Sequence, residues 1–353
     1  MPVPAKALAA IEYGATERAD DARWSAAAAT LPHASLYHDI RWRGLIERVF
    51  GHRTHYLHAT ARSGEVVGLL PLVQLKSSLF GNYLVSMPYF NDGGAVAVDA
   101  YIEEGLMYEA QVLAQRLNVS HVEFRGTRVR PAQWPVRDDK VTMTLALPDS
   151  SEALWKQISA KLRAQIKRPQ REGVEVVRGG LELIPEFWRV FAVNMRDLGT
   201  PVYPQRFFEE LLRSFHESAS VVVVRHQGAP AAAALLLGFR NRLEIPWASS
   251  LREFNHLSVN MALYWECLRL AIDGGFSLFD FGRCSRDSGT YRFKKQWGAQ
   301  EQPLYWHYWL RAGGEPPRLN PDNPKYRMAI AAWRKLPLRV TTLLGPHIVK
   351  YLP

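Results

Sequence analysis

Tyr291, Phe293, Lys294, Lys295 and Trp297 crowd one short stretch late in a chain of 353 residues, with Arg283 shortly before them. If that stretch is helical, Phe293 and Trp297 lie four residues apart on one face, so both rings bury and Lys294 and Lys295 flank the stripe at an exposed edge. Such cations, fixed beside an apolar anchor, suit an anionic group. A second basic set, Lys161, Arg163 and Lys167 with Arg168 and Arg171, has the spacing of one helix face and could grip phosphates. A solvated outer face would give the same pattern.

Positioning the first set requires an apolar strand, Phe276 to Phe281, running into the turn that carries the cations. For the second set, a helix opening at Ser150 or Ser151 would hold Leu154, Ile158, Leu162 and Ile166 as its buried stripe, with the basic residues opposite. Pro169 should kink or end that helix, because proline removes a backbone donor and clashes with the preceding turn.

The order of elements repeats. Strand-like runs from His55 to Ala61 and Val66 to Leu75 flank a turn at Ser63-Gly64, and a helix from Tyr101 to Leu117 leads to a strand from His121 to Phe124. Later, Ser220 to Val224 and Ala231 to Phe239 flank Gln227-Gly228, and a helix from Ser258 to Ile272 leads to Phe276 to Phe281. The closing strands also match, Val122-Glu123-Phe124 against Phe279-Asp280-Phe281, each followed by a glycine. Two copies of one α/β unit are therefore expected, 1–149 and 150–353, with the boundary after a strand from Val141 to Leu147.

Composition narrows the partners. A formal net charge of +10 suits tRNA, a nucleotide-linked precursor or an anionic membrane surface. Two cysteines, Cys267 and Cys284, cannot make a disulfide framework and point to a reducing, cytoplasmic setting. Acidic residues interrupt the N-terminal stretch before an apolar core develops, so no signal peptide is expected there. The most apolar run, Ala229 to Phe239, is far shorter than the roughly 20 residues that span a bilayer. His52, His55 and His58 lack a carboxylate or thiolate companion, and strand geometry turns His55 away from the other two, so no metal site is expected. The sequence has no nucleophile elbow, P-loop or CxxC pair.

The strand Phe279-Asp280-Phe281-Gly282-Arg283 followed by Tyr291 to Gly298 resembles the C-terminal motif of the Fem-type (FemAB-like) aminoacyl- and acyltransferases, in particular the group found beside exosortase (PEP-CTERM) and exopolysaccharide systems. The Lys161-to-Lys167 stretch is similar to one at the start of their second half, and Pro88 to Gly94 is similar to a stretch of the exosortase-associated group. The resemblance implies an α/β protein of two tandem GNAT-like acyltransferase domains with mixed central sheets. It implies that Lys294 is catalytic, neutralising a developing oxyanion or a donor phosphate, and that Tyr291, Phe293 and Arg283 contact substrate. It likewise makes Lys161, Arg163, Lys167, Tyr89 and Asp92 substrate contacts, although Asn91 to Gly94 is also ordinary turn chemistry. No bound cofactor or metal is implied. The co-substrate would be an anionic activated acyl donor, aminoacyl-tRNA or acyl-CoA, and the acceptor an amine on an envelope or exopolysaccharide precursor.

A coenzyme A-dependent N-acetyltransferase acting on an amino sugar is one alternative, but the stretch between Trp247 and Ser258 lacks the glycines that let backbone amides cradle a pyrophosphate. A non-catalytic module binding RNA or another polyanion is the other. From Asn323 to Pro353 the tail mixes Tyr326, Ile330, Trp333, Leu336 and Leu343 with six cations, which suits either packing or peripheral contact with an anionic leaflet. Pro337, Gly345 and Pro346 should prevent a single long helix.

Overall fold

A computed structural model describes residues 11–129, 134–311, 314 and 324–352, with side chains from 327 onward in the last stretch. The strands and helices, in chain order, are β1 (Ile11–Ala15), α1 (Asp21–Thr30), α2 (Arg41–Phe50), β2 (Arg53–Ala61), β3 (Val66–Ser77), β4 (Gly81–Val85), β5 (Val96–Ala97), α3 (Ala100–Arg116), β6 (His121–Gly126), β7 (Val136–Arg137) and β8 (Lys140–Ala146). There follow α4 (Ser151–Gln157), α5 (Ala160–Arg171), β9 (Val174–Gly179), α6 (Ile184–Leu198), α7 (Gln205–Ser214), β10 (Ala219–His226), β11 (Ala229–Phe239), β12 (Arg242–Ser250), α8 (Val259–Asp273), β13 (Leu278–Ser285), α9 (Gly289–Lys295), β14 (Gln300–Pro303), β15 (Tyr305–Leu310), α10 (Pro324–Lys335) and α11 (Leu338–Val349).

The strands form two mixed sheets. The first runs β1-β2-β3-β4-β6-β15-β7, with β5 beside β3, and the second β14-β8-β13-β12-β11-β10-β9. In each, antiparallel strands lead to one parallel pair, β4 with β6 and β12 with β13. The crossovers are α3 and α8, as parallel pairing requires a long connection. The repeated order expected from the sequence is thus present as two α/β units of like topology. Each sheet also takes a strand from outside its own repeat: β15 joins β6, and β8 joins β13.

That exchange moves the division between the units. The compact units part between Asp139 and Lys140; Pro303–Arg318 and Lys350–Pro353 belong with the first, and Leu319–Val349 with the second. The sequence placed the boundary at residue 149 because Val141 to Leu147 reads as the last strand of the first half. Pairing assigns it to the second sheet, in register from Leu278 opposite Ala146 to Ser285 opposite Lys140.

In the first unit β3 is buried on both faces, so alternate residues serve different cores. Leu70 and Leu72 meet Ile102, Leu106 and Ala110 of α3, whereas Leu69 packs with Trp24 and Ala27 of α1. In the second, Val222, Val224, Ala232 and Ala234 meet Leu263, Cys267 and Ala271 of α8 and the stripe Leu154, Ile158, Leu162 and Ile166. All four stripe residues are buried as expected. The expected single helix is nonetheless two, broken at Ile158, because Ser159 turns extended and caps α5 through Leu162 N. Pro169 sits inside α5, which runs only two residues further, to Arg171. The tail forms the two helices α10 and α11, both packed on α6 of the same unit. Tail residues 323 and 353 lie outside the described residues. No helix among the described residues is long and apolar enough to cross a membrane.

Candidate functional site

The parallel pair β12/β13 is short. Its register covers Arg242–Leu278, Leu243–Phe279 and Glu244–Asp280 and then stops. Beyond Glu244, β12 stays with β11 to Ser250, while β13 follows β8 to Ser285. The strands therefore splay, and the edges that face the gap have no ladder partner among the described residues. Such backbone donors and acceptors must be satisfied by water or by a ligand.

Asp280 stands where the strands part. Its carboxylate is buried, accepts from Thr142 Oγ1 at 2.6 Å and from Gly282 N at 2.8 Å, and is paired with Arg242. Gly282 has φ of 75°, and the ladder with β8 shifts register between Asp280 and Arg283. A bulge in a left-handed conformation favours glycine there.

Lys294 clamps the other side of this bulge. Its ammonium donates to Gly282 O at 2.7 Å and Arg283 O at 3.0 Å. The sequence placed Lys294 on an exposed edge beside a buried Phe293. The structure reverses that assignment: Lys294 is 3% exposed and Phe293 only partly buried, its ring edge-on to Tyr264. The reason is helix direction. The short α9, capped by Ser288 Oγ on Tyr291 N, turns Lys294 and Trp297 inward toward β13 and β8, leaving Lys295 in solvent. Burial pushes the Lys294 pKa down, with Cys284 and Asp280 acting in the opposite sense.

The other residues named from the sequence distribute unevenly. Arg283 is exposed on β13 and lends its carbonyl to Lys294. Tyr291 donates to Glu301 Oε2 at 2.9 Å. Of the basic helix, Arg163 donates to Ile158 O at 2.7 Å and Trp155 O at 3.2 Å, so its guanidinium closes the end of α4. Lys167 lies 5.6 Å over the Trp155 ring, and Lys161 is exposed. In the first unit Tyr89 has φ of 76° and donates to Lys350 O at 2.8 Å, while Asp92 accepts from Gly93 N in a turn. Asp280, Thr142 and Arg242 were not singled out from the sequence. Asp280 lay inside the repeated strand pattern, but nothing local marks Thr142, whose strand joins β13 only in the fold.

The equivalent parting of β4 and β6, after Val85–Glu123, is filled. Ser86 Oγ accepts from Arg125 N at 2.8 Å, and Gly94 N donates to Arg125 O at 2.7 Å. A Cβ on Gly94 would stand 2.5 Å from that oxygen. The crossover helices differ likewise. Asp99 caps α3 by accepting from Ile102 N at 2.9 Å, whereas Ser258, with φ of 58°, makes no side-chain cap on α8. An anion at the start of α8 would meet free helix donors, and one at α3 would meet a carboxylate.

Residues 157–295 match the acetyltransferase (GNAT) domain model. That match covers less than half of the chain and lies within the second unit. UDP-N-acetylmuramoylpentapeptide-lysine N(6)-alanyltransferase of Weissella viridescens is 25% identical over 140 residues, which are 38% of this chain and 41% of that protein. The match thus spans about two fifths of that relative. The crystal structure of FemX superposes with a TM-score of 0.64 over 90% of this chain and all (100%) of that one, at 14% identity. A tandem GNAT protein from the clavulanic acid biosynthesis pathway gives 0.50 over 87% of this chain and 100% of its own, at 13% identity. The domain match and the alanyltransferase relative support an acyltransferase of Fem-like GNAT kind, the two superpositions show a likeness of fold, and the domain match falls on the unit in which β12 and β13 part. His52, His55 and His58 do not converge, and no metal-holding group of His, Cys, Asp or Glu occurs among the described residues.

Proposed function

We propose that this protein transfers an acyl or aminoacyl group to an amine of a cell-envelope precursor, with the β12/β13 gap of the GNAT domain as the donor site. The observation that carries the reading is the asymmetry between the two splayed pairs. The gap between β12 and β13 has no ladder pairing among the described residues beyond Glu244–Asp280, whereas the Ser86 to Gly94 segment occupies its counterpart.

Acyl transfer to an amine needs a polarised carbonyl, a neutral amine and a route for its proton. Backbone donors along the open edge of β12 can receive the developing oxyanion, and stabilising that charge usually lowers the barrier more than any other single interaction. Pro246 offers no donor, so the remaining residues of that edge must supply it. Lys294 is a positioning residue in this scheme. Its ammonium is spent on Gly282 O and Arg283 O, and with Asp280 it fixes the bulge that sets one wall of the gap. Lys161 is exposed and offers a cation to an anionic donor.

Aminoacyl-tRNA is the favoured donor, because the path from β12 to α8 is a 3₁₀ turn over Arg252–Leu257 without glycine. Acyl-CoA is the second reading, favoured by the uncapped start of α8. The acceptor is a lysine-bearing peptidoglycan precursor, as the alanyltransferase relative's name suggests, or an exopolysaccharide amine in an exosortase-linked system. Incubation of the chain with alanyl-tRNA or acetyl-CoA and UDP-N-acetylmuramoyl-pentapeptide or an amino sugar, read by acceptor mass, tests the proposal. Mass gain with alanyl-tRNA is expected. Gain only with acetyl-CoA would replace the donor, and no gain with any pair would overturn acyl transfer to these amines.

A further inference from the structure

The first unit has a cavity of about 460 Å³ lined by α3 together with Tyr13, Trp134 and His307. Its size suits a ligand of one or two rings. A solvent-facing helix stripe is ordinarily polar. Here Tyr101 and Tyr108 stand on that stripe at 74% and 59% exposure, and Tyr13 and Trp134 complete an aromatic lining. Gly105 makes room for the arrangement, since a Cβ there would come within 2.0 Å of the Tyr13 hydroxyl.

Two carboxylates, Glu104 and Glu109, share the same lining. Neither has an ion pair within 4 Å among the described residues, although Glu103 beside them is paired with Arg128. Burial above all, then Tyr101, Asp99 and Glu109, push the pKa of the Tyr13 hydroxyl up. Rings attract a cation through their faces, and unpaired carboxylates supply its counter-charge. Ring faces also stack on the apolar face of a sugar.

We infer that this cavity binds a protonated primary amine carried on a ring with an apolar face, the chemistry of an amino sugar. Tyr101, Tyr108 and Trp134 flank the ring, and Glu104 and Glu109 receive the ammonium. The site lies wholly within the first unit, and its occupancy is read without any acyl donor, so it stands or falls separately from the transfer reaction.

Calorimetric titration of the full chain with glucosamine, with glucose as the neutral control, tests the inference. Saturable one-to-one binding of glucosamine in the millimolar range is expected, weakening as salt rises, with no saturable heat from glucose. The double variant Glu104→Gln, Glu109→Gln and the single variant Tyr108→Ala should each weaken binding at least tenfold. Because these side chains are exposed or half-exposed, folding should be retained, and thermal melts verify this. Absence of saturable binding, equal binding of glucose, or binding untouched by both variants would overturn the assignment.

Discussion

The ammonium of Lys294 lies 2.7 Å from the carbonyl oxygen of Gly282, inside the second unit rather than at its surface. A lysine and a left-handed glycine, twelve positions apart, thereby fix the bulge from which β13 leaves β12. Asp280 holds the amide of the same glycine. The wall of the proposed donor site is thus set from both sides of one residue.

Replacing Lys294 by Met should destabilise the protein by about 3 kcal/mol, because two carbonyls lose a charged donor in a buried place. Its pH signature is specific. Burial lowers the folded-state pKa below the ordinary 10.5, so between those values the unfolded chain binds more protons than the folded one. This contribution is fully present above 10.5 and is lost as pH falls through the folded value. Denaturant titrations of wild type and Lys294→Met between pH 7 and 10.5 should show their gap widening as pH rises. A constant gap would place the ammonium in solvent, and a narrowing one would mean that its surroundings stabilise the charge.

Asp280→Leu and Arg242→Met should be strongly non-additive. Removing the buried carboxylate alone costs about 3 kcal/mol, since Thr142 and Gly282 N lose their acceptor along with the ion pair. The double variant should cost less than the sum by about 1 kcal/mol or more, on the order expected for partners in contact. Additive effects in a double-mutant cycle would mean that the pair contributes nothing as a pair.

Gly94→Ala should destabilise the first unit by about 2 kcal/mol, because the new methyl meets the backbone oxygen of Arg125 and not a movable side chain. Gly126→Ala, with open space around it, is the control and should stay within about 0.5 kcal/mol. Comparable melting temperatures for the two variants would show that the Ser86 to Gly94 segment does not fill the β4/β6 gap.

On α11, Leu343 and Leu344 are 68% and 44% exposed, and Arg339 lies one turn from Leu343. Peripheral contact with an anionic leaflet through this face predicts co-sedimentation with phosphatidylglycerol vesicles that falls as salt rises. Leu343→Ser with Leu344→Ser should reduce it severalfold. Deleting the whole tail is a poorer test, since α10 and α11 also pack on α6. Sedimentation equal in the variant would leave these helices as packing elements.

The sequence by itself determined the repeat and most of its elements. Apolar periodicity is a local property, so the strands around Gly64 and Gly228, both crossover helices and the closing strands with Glu123 and Asp280 could be read directly. It also marked the stretch from Phe279 to Trp297 as the chemically specific part of the chain. Only tertiary structure decided which strands those residues sit against. β8 leaves the first repeat for β13, β15 returns to β6, and no local pattern encodes either pairing. For the same reason Lys294 was read as solvated. Its cost of burial is met by Gly282 O and Arg283 O, partners that exist only once β13 has bulged away from β12. The difference between an open and a filled gap was likewise beyond the sequence, because it rests on the approach of Ser86 and Gly94 to Glu123 and Arg125 across the first sheet.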